Sequence, residues 1–274
     1  MSVLNNPLEI FKLLPKTNCR QCQVPTCLSF AAAVIKGERR LGDCPSLDSS
    51  TIEHFEGRIE KRATREQQLE QALDQLKKEI GTVDFSSSAP RLGALFSNGK
   101  LIVRCLGRNY TVDANGNITS ECHTNSWVTF PLLAYVIYCS GHSFLGKWVP
   151  FRNLKNGLTF SPLYEQRCEK PLKKIADSDV DLFENILHIL GGRPAEEDFS
   201  SDISLILYPL PKVPILICYK EQDDDLESQL NIFYDLSTEK NLNIESVYML
   251  MAGITGMLEK MAVRHGGGEH RKSH

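Results

Sequence analysis

The stretch Asn18-Cys19-Arg20-Gln21-Cys22-Gln23-Val24-Pro25-Thr26-Cys27, closed later by Asp43-Cys44-Pro45, decides how the front of this chain is read. It forms a Cys-x2-Cys-x4-Cys-x16-Cys run. Four thiolates, three of them crowded together, suit one soft metal centre. The other five cysteines, at 105, 122, 139, 168 and 218, are scattered singly and show no ligand spacing. The chain therefore reads as a metal module followed by a less legible globular body.

Working outward from the cysteines, Pro7 to Leu14 has the pattern of a short amphipathic helix, started by its proline and stopped by Pro15. Ile10, or Leu8 and Phe11, with Leu14 would cover one side of the ligand loop. A second helix is predicted from Cys27 to about Gly37, with Thr26 as N-cap. Residues 50 to 80 turn rich in Glu, Lys, Arg and Gln, and carry apolar residues at helical spacing. This predicts an amphipathic helical stalk, in one piece or two, that is mobile between module and body. Three consecutive serines between Thr82 and Pro90 read as a linker.

The body opens with hairpin grammar. Arg91–Phe96, the turn Asn98-Gly99 and Leu101–Leu106 predict two strands, and Tyr110–Asp113, Asn115-Gly116 and Ile118–Ser120 repeat the pattern. Trp127–Tyr138 is apolar nearly all round and is expected as a helix packed on that meander. Short helical stretches follow Gly146, interrupted by prolines and Gly191-Gly192. Ile203–Leu207 and Val213–Tyr219 are strand-like, and a helix from Asn243 to Val263 precedes a tail expected to be disordered. The fold class is α+β: a small, mostly helical cysteine-rich module, a helical stalk, then a mixed domain with an antiparallel sheet and packed helices. The divisions are 1–48, 49–81, 82–90, 91–264 and 265–274.

Composition removes several function classes. A net charge of −3 over 274 residues gives no electrostatic case for nucleic acid. No stretch approaches the ~20 apolar residues of a membrane span. An odd cysteine count without paired spacing, and no secretory leader, point to a cytoplasmic protein in a reducing compartment. The acidic run Glu221–Glu227 lacks calcium-loop spacing and reads as a solvated turn. His123 beside Cys122 has no second ligand pair. Trp127 and Trp148 read as core, and Arg152 and Arg167 as surface arginines. No catalytic residue can be named from the body.

Thiolates select zinc, copper(I) or iron–sulfur clusters. Structural zinc usually pairs two separated cysteine knuckles, whereas three crowded cysteines and one distal cysteine before proline favour a [4Fe–4S] cluster. Zinc and unligated core cysteines are the alternatives. Cys27 at a helix N-terminus would favour a negative cluster. Phe30, Ala31 and Val34 would form an apolar lid, with Lys16, Arg20, Lys36, Arg39 and Arg40 surrounding the loop with positive charge.

Glu9-Ile-Phe-Lys-Leu-Leu-Pro-Lys-Thr-Asn-Cys19-Arg-Gln-Cys22, Pro25-Thr-Cys27-Leu-Ser-Phe-Ala and Asp43-Cys44-Pro45 together resemble the [4Fe–4S] module of the corrinoid iron–sulfur protein large subunit. Residues Ala33–Glu38 are also similar to the module in the B subunit of Rnf-type electron-transport complexes. The resemblance spans about residues 5 to 48 and implies one [4Fe–4S] cluster held by Cys19, Cys22, Cys27 and Cys44. It also implies a redox protein partner, such as a corrinoid protein or methyltransferase, in anaerobic metabolism. Those modules place glycine after the second cysteine where this chain has Gln23, so a rearranged loop is expected. Nothing beyond residue 48 resembles a corrinoid-binding barrel. The stretches Gly146–Arg152, Arg167–Leu172, Leu190–Gly192 and Leu210–Ile215 resemble an uncharacterised domain that follows this module in anaerobes, which implies no reaction.

Three functions stand at this point. The chain transfers single electrons through its cluster; or it is an enzyme whose body binds a substrate, corrinoid or nucleotide and is fed by the cluster; or the metal holds the module together for partner binding or sensing.

Overall fold

The computed structural model describes residues 4–59, 65–121, 125–197, 199–223 and 226–266. The tail, His123 and Cys122 lie outside them. The chain divides into two compact units, Met1–Leu73 and Asp74–His274.

The first unit begins with α1 (Pro7–Leu13). Asn6 caps it, its side chain accepting from the Leu8 N–H at 2.9 Å, and the helix stops at Leu14 before Pro15. Helix α2 (Cys27–Ile35) is capped by the Thr26 hydroxyl, which accepts from the Ser29 N–H at 3.1 Å. A 3-10 turn, Leu41–Asp43, then delivers Cys44. Asp48 caps α3 (Ser49–Phe55), and a second 3-10 turn, Glu56–Arg58, leads to Ile59, which forms a parallel bridge with Leu4. Ile10, Leu14, Phe30, Ala31, Val34 and Leu41 form the buried core. Ile52, Phe55 and Ile59 pack on it half-buried. Residues 49–59 thus turn back onto the cysteine module and are not the start of a stalk.

Helix α4 (Arg65–Ile80) is the amphipathic helix foreseen, but its C-terminal end is anchored within the second unit. Ile80 is fully buried, and Glu79 accepts from the Tyr138 hydroxyl. The expected linker is also corrected: Phe85–Leu92 is a helix, α5, capped by Asp84 and ended by Gly93 at φ +59°. Phe85, Ser88, Ala89 and Leu92 fall on one face and are buried, so burial at helical spacing outweighs the turn-like serines. Strand β1 (Leu95–Ser97) is accordingly shorter than foreseen.

Strands β1, β2 (Lys100–Cys105), β3 (Arg108–Val112) and β4 (Ile118–Ser120) make the expected antiparallel meander. Asn98-Gly99 and Leu106-Gly107 turn with positive φ at both positions, the geometry that matches strand twist. Helix α6 (Ser126–Tyr138) does not take the meander as its main partner; it packs on α11 (Ile244–Gly266), where Trp127 lies against Gly253.

The second sheet is antiparallel, in the order β5 (Trp148–Pro150), β9 (Gln229–Asp235), β8 (Val213–Lys220), β7 (Ile203–Leu210) and β6 (Arg193–Pro194). Central β8 is buried from Val213 to Tyr219. Helices α7 (Gly157–Tyr164), α8 (Lys170–Ser178) and α9 (Val180–Ile189) surround α11, with a π-helical turn, Glu165–Glu169, joining α7 to α8. Val247, Leu250, Met251, Ile254 and Leu258 give α11 its buried stripe. Phe151 stacks on Tyr164 at 4.0 Å, and the buried Tyr164 and Tyr234 hydroxyls meet at 2.8 Å. Buried Asp235 accepts from the N–H groups of Leu145, Lys147 and Ser237, and buried Asn241 holds both backbone groups of His142. Asn241 closes the short helix α10 (Thr238–Asn241).

Candidate metal centre

The four cysteines lie at the ends of elements whose starts and stops are local chemistry. Cys19 and Cys22 sit in the loop between α1 and α2, Cys27 is the first residue of α2, and Cys44 follows the Leu41–Asp43 turn. Cys19 is exposed, Cys22 half-buried, and Cys27 and Cys44 buried against the module core. The apolar residues expected as a lid, Phe30, Ala31 and Val34, are fully buried and form the floor beneath them.

The loop is wound tightly. Lys16, Asn18, Arg20 and Gln23 all have positive φ, between 50° and 61°. Gln23 adopts φ +61°, and its N–H donates to the Arg20 carbonyl at 2.9 Å. Gln23 thus occupies the left-handed region that favours glycine, at a cost of roughly 1–2 kcal/mol. Asn18 is the residue that sequence reasoning passed over. Its Oδ1 accepts from the Cys27 N–H at 2.8 Å, tying the ligand loop to the first residue of α2. An Asn beside a loop cysteine, able to adopt the left-handed region and to bond backbone, was the available signal.

Electrostatics couple the set. Burial pushes the Cys44 thiol up, a backbone hydrogen bond at Ser46 draws it back, and Cys22, Cys27 and Cys19 each add to the rise. All four sulfurs therefore lie in one electrostatic neighbourhood. Cys19, in contrast, is drawn down by a backbone hydrogen bond at Gln21, with Thr17 and Ser46 helping. Among the described residues, no group of three or more His, Cys, Asp or Glu side chains is gathered closely enough to hold a single metal ion. Four thiolates are the donor type that soft metal centres take, iron–sulfur clusters among them.

The basic residues keep to the surface, with Lys16, Arg20, Lys36 and Arg40 exposed and Arg39 half-buried. The Lys16 ammonium lies 5.7 Å from the Phe11 ring centroid. Cys105, Cys139, Cys168 and Cys218 are buried, and burial raises each thiol, those of Cys105 and Cys168 to about 12. They are inert packing residues. Arg152 and Arg167 are exposed and Trp148 is half-buried. The acidic run enters the β8–β9 connection, where Asp223 and Leu226 form an antiparallel bridge.

Residues 14–46 match the family model described as "Putative Fe-S cluster". The same region is 48% identical over 44 residues to the acetyl-CoA decarbonylase/synthase complex subunit gamma 1 of Methanosarcina thermophila, covering 16% of this chain and 9% of that protein. It is 46% identical over 46 residues to the corrinoid/iron-sulfur protein large subunit of Moorella thermoacetica, covering 17% and 10%. A gamma subunit from Methanocaldococcus jannaschii is 38% identical over 52 residues, covering 19% and 11%. The chain thus matches about a tenth of the length of these curated relatives. No solved structure matches it. No helix among the described residues is long and apolar enough to cross a membrane. The longer match covers residues 84–257, more than half of the chain, and by it the chain belongs to the family described as a domain of unknown function, DUF3786.

Proposed function

We propose that Cys19, Cys22, Cys27 and Cys44 hold one [4Fe–4S] cluster and that the chain uses it to pass single electrons to or from a protein partner in anaerobic metabolism. The observation that carries this reading is the four-thiol set itself, with Cys19 and Cys22 in the loop, Cys27 opening α2 and Cys44 after the Leu41–Asp43 turn, the first three close enough to act electrostatically on Cys44. The iron–sulfur family match and the naming of one relative as a corrinoid/iron-sulfur protein support it.

Such a cluster supplies reversible one-electron transfer. The chain's own residues set the conditions for it. Ile10, Phe30, Val34 and Leu41 exclude water from the Cys27 and Cys44 side, lowering the dielectric there. Exposed Cys19 leaves the opposite side open to a partner surface. The Asn18 bond to Cys27 holds the loop against α2, and the helix N-terminus adds positive potential toward the sulfurs.

The test is iron, zinc and acid-labile sulfide per chain after strictly anaerobic purification. The reading expects about four irons and four sulfides, both lost in the size-conserving Cys27→Ser variant. One zinc per chain without sulfide would overturn it and leave a structural metal module.

A further inference from the structure

The second unit carries a groove of about 470 Å³, within the usual range for small-molecule sites. Arg104 on β2 and Arg193 on β6 line it, together with Tyr208 on β7. Both arginines are exposed, and neither is paired with a carboxylate among the described residues. No acidic side chain lines the groove. Tyr208 is 41% exposed although it lies in a strand whose neighbours Leu207 and Leu210 are buried.

Parts of the wall are bare backbone. Gly107 and Gly191 have φ of +76° and +86°, which favour glycine, and a Cβ at either would meet nothing within 4 Å. A flat molecule can therefore approach the main chain there. One effect opposes an anion. Helices α5 and α9 both end at the groove, beside Gly93 and Leu190, and each C-terminus contributes roughly half a negative charge. Two full guanidinium charges outweigh these about two to one. Guanidinium forks bind phosphate and carboxylate oxygens in pairs, and a tyrosine face stacks on planar rings.

We infer that this groove binds a small planar-ring molecule bearing one phosphate or carboxylate group. Arg104 and Arg193 take the anion and Tyr208 takes the ring. The inference stands apart from the cluster and does not depend on it.

The experiment is calorimetric titration of the full chain with AMP, FMN and nicotinate, and with adenosine, riboflavin and inorganic phosphate as partial probes. At least one of the three ring anions should saturate with a Kd below about 1 mM, and its partial probes should bind at least about tenfold more weakly. AMP or FMN against nicotinate separates phosphate from carboxylate recognition. Arg104→Gln and Arg193→Gln should each weaken the successful ligand about tenfold or more, and Tyr208→Ala should weaken it too. All three residues are exposed, so circular dichroism should show the variants folded. Failure of all three ring anions to saturate, undiminished binding by both arginine variants, or inorganic phosphate binding as tightly as the ring anions would each overturn the inference.

Discussion

Replacing Gly253 with alanine sets two physical effects against each other on one helix. Gly253 lies within α11, and alanine in a helix interior is worth about 1 kcal/mol over glycine. An alanine Cβ there would stand 2.2–2.4 Å from three atoms of the Trp127 indole. Carbon atoms in contact sit at about 3.5–4.0 Å, so the ring and α6 must move by more than about 1 Å. Trp127 is half-buried on α6, and a fused ring has no flexible end to swing aside. Overpacking of this kind costs about 1–3 kcal/mol, and an overlap this deep belongs at the upper end. Gly253→Ala should therefore destabilise the second unit by about 2 kcal/mol net, lowering Tm by about 4–8 °C. Gly256, one turn on, is the control: a Cβ there meets nothing within 4 Å, so Gly256→Ala should stabilise by up to about 1 kcal/mol. Both tryptophans of the chain lie in this unit, so thermal melting followed by tryptophan fluorescence reads it directly. Since Gly253→Ala perturbs Trp127 itself, far-UV circular dichroism should give the same midpoint, and Trp127→Leu should relieve the clash in a double-mutant cycle. A stabilised Gly253→Ala would refute the α6–α11 packing argued above.

Three further outcomes follow from particular contacts. Tyr164→Phe or Tyr234→Phe alone should cost about 1–3 kcal/mol in chemical denaturation, because each strands the other's buried hydroxyl, whereas the double variant should cost less than the two singles together. Gln23→Gly should raise the module's thermal midpoint by relieving a left-handed side chain, a gain of about 0.5–1 kcal/mol after the extra chain entropy of glycine, and a loss of stability would show that the turn is not strained. The Asp48 carboxyl is held down at about 2, from an ordinary 3.8, by the Ser50 hydroxyl first and then by the N–H and hydroxyl of Thr51. Its folded value is depressed, so its contribution is complete above 3.8 and is lost as pH falls toward 2. Asp48→Asn should flatten the acid limb of module stability relative to the parent chain, and identical limbs would disprove the cap's role.

The parts of the fold readable in advance were those with short-range causes. Pro7, Pro15 and Thr26 bound α1 and α2 through backbone donors and caps, and Asn98-Gly99 makes its turn through positive φ at both residues. The misread linker shows the opposite case. Ser86-Ser87-Ser88 and Pro90 have turn chemistry, and only the burial of Phe85, Ala89 and Leu92 makes that stretch a helix. Strand β9 opens weakly with Gln229-Leu-Asn after an acidic run, yet it pairs with β8 from Gln229 to Tyr234 and with β5 from far upstream. Long-range pairing of this kind carries a closure cost and a packing gain that no local pattern records.

By itself the sequence determined the donor chemistry, four thiols at one end in a loop-and-helix frame, because thiol softness and cap geometry are properties of a few adjacent residues. It also determined the α+β class, through the change from 3.6-residue to 2-residue periodicity along the chain. Only the tertiary structure decided that Cys44 shares an electrostatic neighbourhood with Cys19, Cys22 and Cys27, that residues 49–59 fold back to complete the module core, and that Arg104, Arg193 and Tyr208 face one groove. Each of these depends on distance through space between residues far apart in the chain, and that distance is set by which apolar surfaces bury one another.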